Sequence, residues 1–224
     1  MNNLAGDAIN YCTKGDLYRY VSDLKKLMGI KWDRIGIGFF EACEGLKKLD
    51  IRVISLKDKS LRGLAIPKDN IILLNSSRNE IERNFDCAHE FMHVVKHKFE
   101  NAQTFNCFDK LRPQQNPFLE WQANEGAAEI LVPYKVFIPI FCEYHPRCEN
   151  EYEYYYLLDY LAHLFNVPLR VIELRIENLK YEIYQYEKGC DIDSIQVLSN
   201  KKQEQKGIHI VSYNVKYDFC QSII

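Results

Sequence analysis

Apolar residues first recur at helical spacing where Leu17, Tyr20, Val21, Leu24 and Leu27 share one face, which predicts a helix over Asp16 to Met28. A second helical pattern spans Asp33 to Leu49. The period then shortens to three β-type runs, Ile51 to Leu56, Leu61 to Ile66 and Asn70 to Leu74. The polar stretches KDKS and PKDN separate them, and a small antiparallel sheet is the simplest outcome. Helical spacing returns at Ser77 and Glu80, an S-x-x-E capping box for a helix running to about Lys98. Another helix opens at Pro117 and ends at Val132, where Pro133 stops it. Tyr152 to Phe165 and Leu169 to Leu179 predict a helix pair joined by Asn166-Val167-Pro168. Beyond about Gly189, Ile195 to Leu198 and Ile208 to Val215 flank the polar turn NKKQEQKG and predict a β-hairpin. The expected fold class is α+β and mainly helical, with the sheet ahead of the Ser77 to Lys98 helix and a short C-terminal β-like extension. Residues 1–185 would form the main domain and 186–224 the extension.

Composition narrows the function classes. With 29 basic and 31 acidic residues the net charge is -2, so no global field draws in nucleic acid or anionic lipid, and neither is an expected partner. The first 20 residues lack the basic start, apolar stretch and cleavage site of a secretory signal, and no apolar run approaches 18 residues. A cytoplasmic protein with no membrane span is expected. Its eight cysteines are scattered over a chain far larger than a disulfide scaffold, so they read as reduced thiols.

The chemistry concentrates in HEFMH. His89 and His93 stand four apart, so on a helix both imidazoles project from one face and can share an ion, with Glu90 beside them to hold a water. At about 100° per residue, Ile81, Phe85, Ala88, Met92, Val95 and Phe99 form an apolar stripe, while Asp86, His89, Glu90, His93 and His97 form a polar one. Three histidines and two acids on one stripe exceed what a solvated face requires. A catalytic zinc takes three protein ligands and keeps a position for water, so His97 reads as a neighbour of the ligands. Glu120, Glu125 and Glu129 are the candidates for the third ligand. The buried stripe of their helix is Leu119, Ala123, Ala127, Ile130 and Leu131, and Glu120 lies at its edge with Asn124 one turn on. Spacing therefore favours Glu120, with Asn124 orienting a ligand histidine, and leaves Glu125 and Glu129 as solvated groups. Cys142, His145 and Cys148 lack C-x-x-C spacing and do not read as a second metal site. In the later helix pair, Arg170, Arg175 and Lys180 are offset by Glu173 and Glu177, which favours packing or substrate docking over DNA reading.

The run RGLAIPKDNIILLNSSRNEIERNFDCAHEFMHVVKH, followed by LEWQANEGAAEILVP, resembles the ImmA/IrrE family of zinc metallopeptidases. The resemblance includes the pattern E-x-x-A-N-x-x-A-A-x-x-L-x-P, extends to LAHLFNVPLRVIELRIENL, and covers roughly Asp16 to Leu179. Cys87, Phe91-Met92 and Gly126 depart from the residues usual in that family. The resemblance implies a zincin-like core with thermolysin-like active-site helices. It also implies zinc held by His89, His93 and Glu120, with manganese as an alternative, and Glu90 as the base. The implied partner is a protein substrate, a helix-turn-helix repressor encoded nearby, often in mobile elements or stress regulons. An extended substrate would pair with the strand at Asn70 to Leu74, and His97, Tyr134 and His163 are candidate donors to a developing oxyanion. Two competing readings are a non-catalytic or toxin-like zinc-binding partner of such a regulator, and a metal-dependent hydrolase of another bond. The presence of Glu90 argues against the first, because a structural ion needs no base.

Overall fold

The computed structural model describes residues 12–214 apart from 45, 47 and 101–103. Thr13 and Asp16 satisfy each other's backbone groups in a capping box that starts α1 (Lys14–Leu27), which buries Leu17, Tyr18 and Val21. The second helical pattern contracts to α2 (Phe39–Glu44). Gly36 takes a left-handed φ of 62° there, which a continuing helix would not allow.

Four short strands form one sheet, β1 (Asp50–Ile54), β2 (Leu61–Ile66), β3 (Ile71–Asn75) and β4 (Phe105–Phe108), in the order β1-β3-β2-β4. The sheet is mixed, which corrects the antiparallel expectation: β1 runs parallel to β3, while β2 pairs antiparallel with both β3 and β4. The turn through Asn70 (φ 54°) folds β2 and β3 into a hairpin, and the β1–β2 loop carries the chain past the position that β3 then fills. Because β3 is interior, the segment Asn70 to Leu74 offers no free edge. The edge beyond β2 belongs to β4, a four-residue strand that follows the motif helix. Between Leu61 and Gly63 the β2–β4 register skips a residue, so Arg62 is a bulge whose side chain is re-aimed.

The motif helix is α3 (Glu80–Lys96), capped by Asn79 and Glu82, two residues later than the Ser77 and Glu80 expected. The Ser77 hydroxyl donates to Asn75 Oδ1 instead, at 3.0 Å. Every residue from Asn84 to Val94 is buried, so the polar stripe of α3 faces protein, whereas Phe99 lies past the helix and is exposed. Opposite it stands α4 (Pro117–Leu131), with Asn116 Oδ1 accepting from Phe118 N at 3.0 Å and Pro117 in the first turn. The two helices meet closely at Met92 and Gly126, where an added Cβ would lie 2.6 Å from the Met92 Cε. A side chain at position 126 would therefore oblige Met92 to shift.

The apolar run after Pro133 forms α5 (Tyr134–Tyr144), helical through Pro139 and burying Phe137, Ile138 and Phe141. The expected pair follows as α6 (Glu151–Phe165) and α7 (Leu169–Asn178), parted by Asn166 in the left-handed region, and α8 (Lys180–Glu187) continues beyond. The C-terminal hairpin does not form among the described residues. Ser199 caps a short helix, α9 (Asn200–Gln205), in place of the polar turn. The backbone at Gln196 and Leu198 donates to Gln185 Oε1 and Glu182 Oε1 of α8, so no strand partner is taken; Val215 lies outside the described residues. Ile195 is buried, and the buried ion pair Lys14–Glu182 at 3.0 Å joins α1 to α8. No described helix is long and apolar enough to cross a membrane.

Candidate metal centre

α3 and α4 bring three buried side chains to one point. The Nε2 atoms of His89 and His93 lie 3.2 Å apart, and the Glu120 carboxylate reaches them at 3.4 Å and 3.7 Å. Ligand atoms held about 2.1 Å from a tetrahedral zinc are themselves separated by about 3.4 Å. The three spacings match that figure, so the donor set fits a divalent ion. The two imidazole Nε2 atoms face each other across 3.2 Å in a buried site, close enough to share one ion.

Neighbouring groups fix the rings. Asn124 Nδ2 donates to the Glu120 carbonyl at 2.9 Å, which turns Oδ1 toward His89 Nδ1 at 3.1 Å. An acceptor there places the proton on Nδ1 and leaves Nε2 free to ligate. His93 Nδ1 meets His97 Nδ1 at 2.8 Å, and Phe105 of β4 stacks on the His93 ring at 4.3 Å. Burial pushes His93 down to about 4 and His97 down to about 3, so both are neutral at physiological pH. Burial opposes ionisation of Glu120, yet the pull of His89 and His93 holds its carboxyl below the ordinary range. The structure thus places Asn124 beside His89 and His97 behind His93.

Glu90 is fully buried and neither of its carboxylate oxygens has a hydrogen-bond partner among the described residues. Burial, then the charges of Glu120 and Asp86, push its carboxyl well above the usual range. It lies over β2, where a Cβ on Gly63 would come within 3.1 Å of Oε1, so the glycine makes room for the carboxylate. Arg62, at the bulge, donates to Asp86 through Nε at 2.8 Å, and Arg78 reaches the other Asp86 oxygen at 3.2 Å. These bonds tie the sheet to α3 beside the centre. A cleft of about 450 Å³ opens there, lined by His89, Glu120, Asn124, Cys107, Arg62 and Leu174 among others.

Several expectations change. Glu125 and Glu129 are buried rather than solvated, because α7 delivers Arg175 into the same interior. Arg175 donates to Glu125 at 2.7 Å, to the Tyr18 hydroxyl at 2.7 Å, to the Val132 carbonyl at 3.0 Å and to Glu129. Of the three candidate oxyanion donors, none lines the cleft: His97 is behind His93, Tyr134 stacks on Tyr18, and His163 is exposed on α6. The sequence did not single out Gly63, Arg62, Phe105 or Cys107. An isolated glycine inside a β-type run was the one available signal, since it marks a bulge or a close approach.

No curated protein shows significant similarity to the chain. Among solved structures, a Mycobacterium tuberculosis transcriptional regulator shares the fold with a TM-score of 0.51 and 15% identity. The match covers 74% of this chain and 48% of that one, so this chain spans about half the length of that structure. The family model of the M78 peptidases, described as the IrrE N-terminal-like domain, matches residues 46–177. That span runs from just before β1 into α7 and contains all three residues of the buried centre, so the chain belongs to the M78 peptidase family of IrrE N-terminal-like domains.

Proposed function

We propose that the protein is a zinc-dependent endopeptidase, also able to use manganese, that cleaves a helix-turn-helix transcriptional regulator. The observation that carries the catalytic part is the trio of buried donor atoms from His89, His93 and Glu120 at 3.2, 3.4 and 3.7 Å, with the Glu90 carboxylate, unpartnered among the described residues, alongside. The bound ion supplies a Lewis acid that polarises a peptide carbonyl and makes a water acidic near neutral pH. Glu90 takes the water's proton and delivers it to the leaving amine. Both tasks suit a carboxylate with no competing donor among the described residues and a proton affinity raised by burial. Asn124 and His97 hold the imidazoles in their working orientation.

An extended substrate segment pairs with the outer edge of β4, which carries Cys107 into the cleft, and Arg62, Arg78 and Arg170 are among the cationic groups lining that cleft. The identity of the substrate rests on the family resemblance and on the fold shared with a transcriptional regulator. The test incubates the purified protein, with zinc or manganese, with the small helix-turn-helix protein encoded beside it. Defined cleavage that chelation abolishes, and that Glu90→Gln loses while still binding the regulator, is expected. Binding by wild type with no cleavage would remove the peptidase reading.

A further inference from the structure

His89 belongs to two donor sets. Besides the set with His93 and Glu120, the ligand atoms of His89, Glu90 and Cys107 also lie within 4.8 Å of one another, and all three residues are buried. The register of the sheet explains the convergence. Cys107 on β4 is paired with Gly63 on β2, and it is at Gly63 that the absence of a side chain admits Glu90. Neither Glu90 oxygen has a hydrogen-bond partner among the described residues, and Cys107 lines the cleft, which gives the second set a route to solvent.

We propose that His89, Glu90 and Cys107 form a second, overlapping seat for a soft divalent ion, and that filling it holds the peptidase at rest. The inference depends on the metal centre assigned under the proposed function. An ion passing to this seat keeps His89, releases His93 and Glu120, and gains a Glu90 oxygen and the Cys107 thiolate. The thiol proton leaves to solvent through the cleft, and no redox change is involved. In this seat the general base is itself a ligand and has no free oxygen directed at a substrate water. Zinc and cobalt suit both donor sets, whereas thiolate draws cadmium to the second seat and imidazole with carboxylate keeps manganese in the first, so the identity of the ion biases the seat.

Cobalt(II) absorption of the full-length protein separates the possibilities. Wild type should show visible ligand-field bands together with an intense near-ultraviolet sulfur-to-cobalt band. Cys107→Ser and Cys107→Ala, checked for folding by circular dichroism, should keep visible bands and lose the near-ultraviolet one. Cys142→Ser should keep both, and His93→Ala should keep the sulfur band. Visible bands without a sulfur band in wild type, or a sulfur band that survives in both Cys107 variants, would overturn the second seat while leaving the first intact. No cobalt bands of either kind in wild type would instead contradict the metal centre itself, and the second seat with it.

Discussion

Glu90 is placed where a carboxylate is most costly to ionise, fully buried and reached by no donor among the described residues, yet next to three metal-type ligands. A group that only stabilised the fold would be paired. Glu90→Gln keeps shape and the His89, His93 and Glu120 ligands while removing the proton acceptor, so it should bind manganese normally and lower the rate of cleavage by about 10²–10⁴-fold, read from a time course of product formation. Asn124→Ala removes the acceptor that sets the His89 tautomer, and metal affinity measured by competition with a chelator should fall by about 10–100-fold. His89, Glu90 and His93 were legible because the i, i+4 spacing is a local property of a helix. Glu120 was legible for a related reason, its place at the edge of a helical stripe. Phe105, Gly63 and Cys107 were not, because their proximity to the centre comes from strand register between residues 40 or more positions apart.

At the scale of elements, α7 is held to α4 and α1 by a buried cation shared between two carboxylates. Arg175 pairs with Glu125 and Glu129 and also bonds Tyr18, while Leu174 beside it forms part of the cleft wall. Arg175→Met leaves two buried acids without their cation and should lower stability by about 3–5 kcal/mol in urea unfolding. One cation cannot fully serve two acids. Burial, only partly offset by Arg175, raises Glu129 to about 7, whereas Glu125 is lowered against its burial chiefly by Arg175. Since the folded value of Glu129 lies above its ordinary 4.5, its contribution is complete below that pH and is lost as pH rises through about 7. Wild type should therefore lose stability relative to Glu129→Gln between about pH 5 and about pH 8, as followed by urea midpoints. The sequence signalled α7 itself but not this network. Arg175 has Glu177 near it in sequence, whereas its partners lie on another helix, about 50 residues away. The mixed sheet was hidden likewise, because run lengths give strands but not the crossover that sets β1 parallel to β3.

For the whole molecule, the main helices and three of the four strands follow from apolar spacing, and they place the centre between α3, α4 and the sheet. The C-terminal hairpin was misread because two apolar runs around a polar turn resemble a hairpin. Ser199 caps a helix there, and α8 side chains take up the backbone groups of residues 196 and 198. The centre also links metal to global stability, since an ion that binds only the folded chain stabilises it by about 2.7 kcal/mol at a hundredfold excess over its dissociation constant. Chelation should lower the melting temperature accordingly, and manganese should restore it in wild type but not in His93→Ala. The most direct test of the centre is calorimetric titration of manganese into wild type and Glu120→Gln. One ion per wild-type chain, with affinity weakened at least about tenfold in the variant, is the predicted result. Equal affinity in the two proteins, or no binding by wild type, would contradict it.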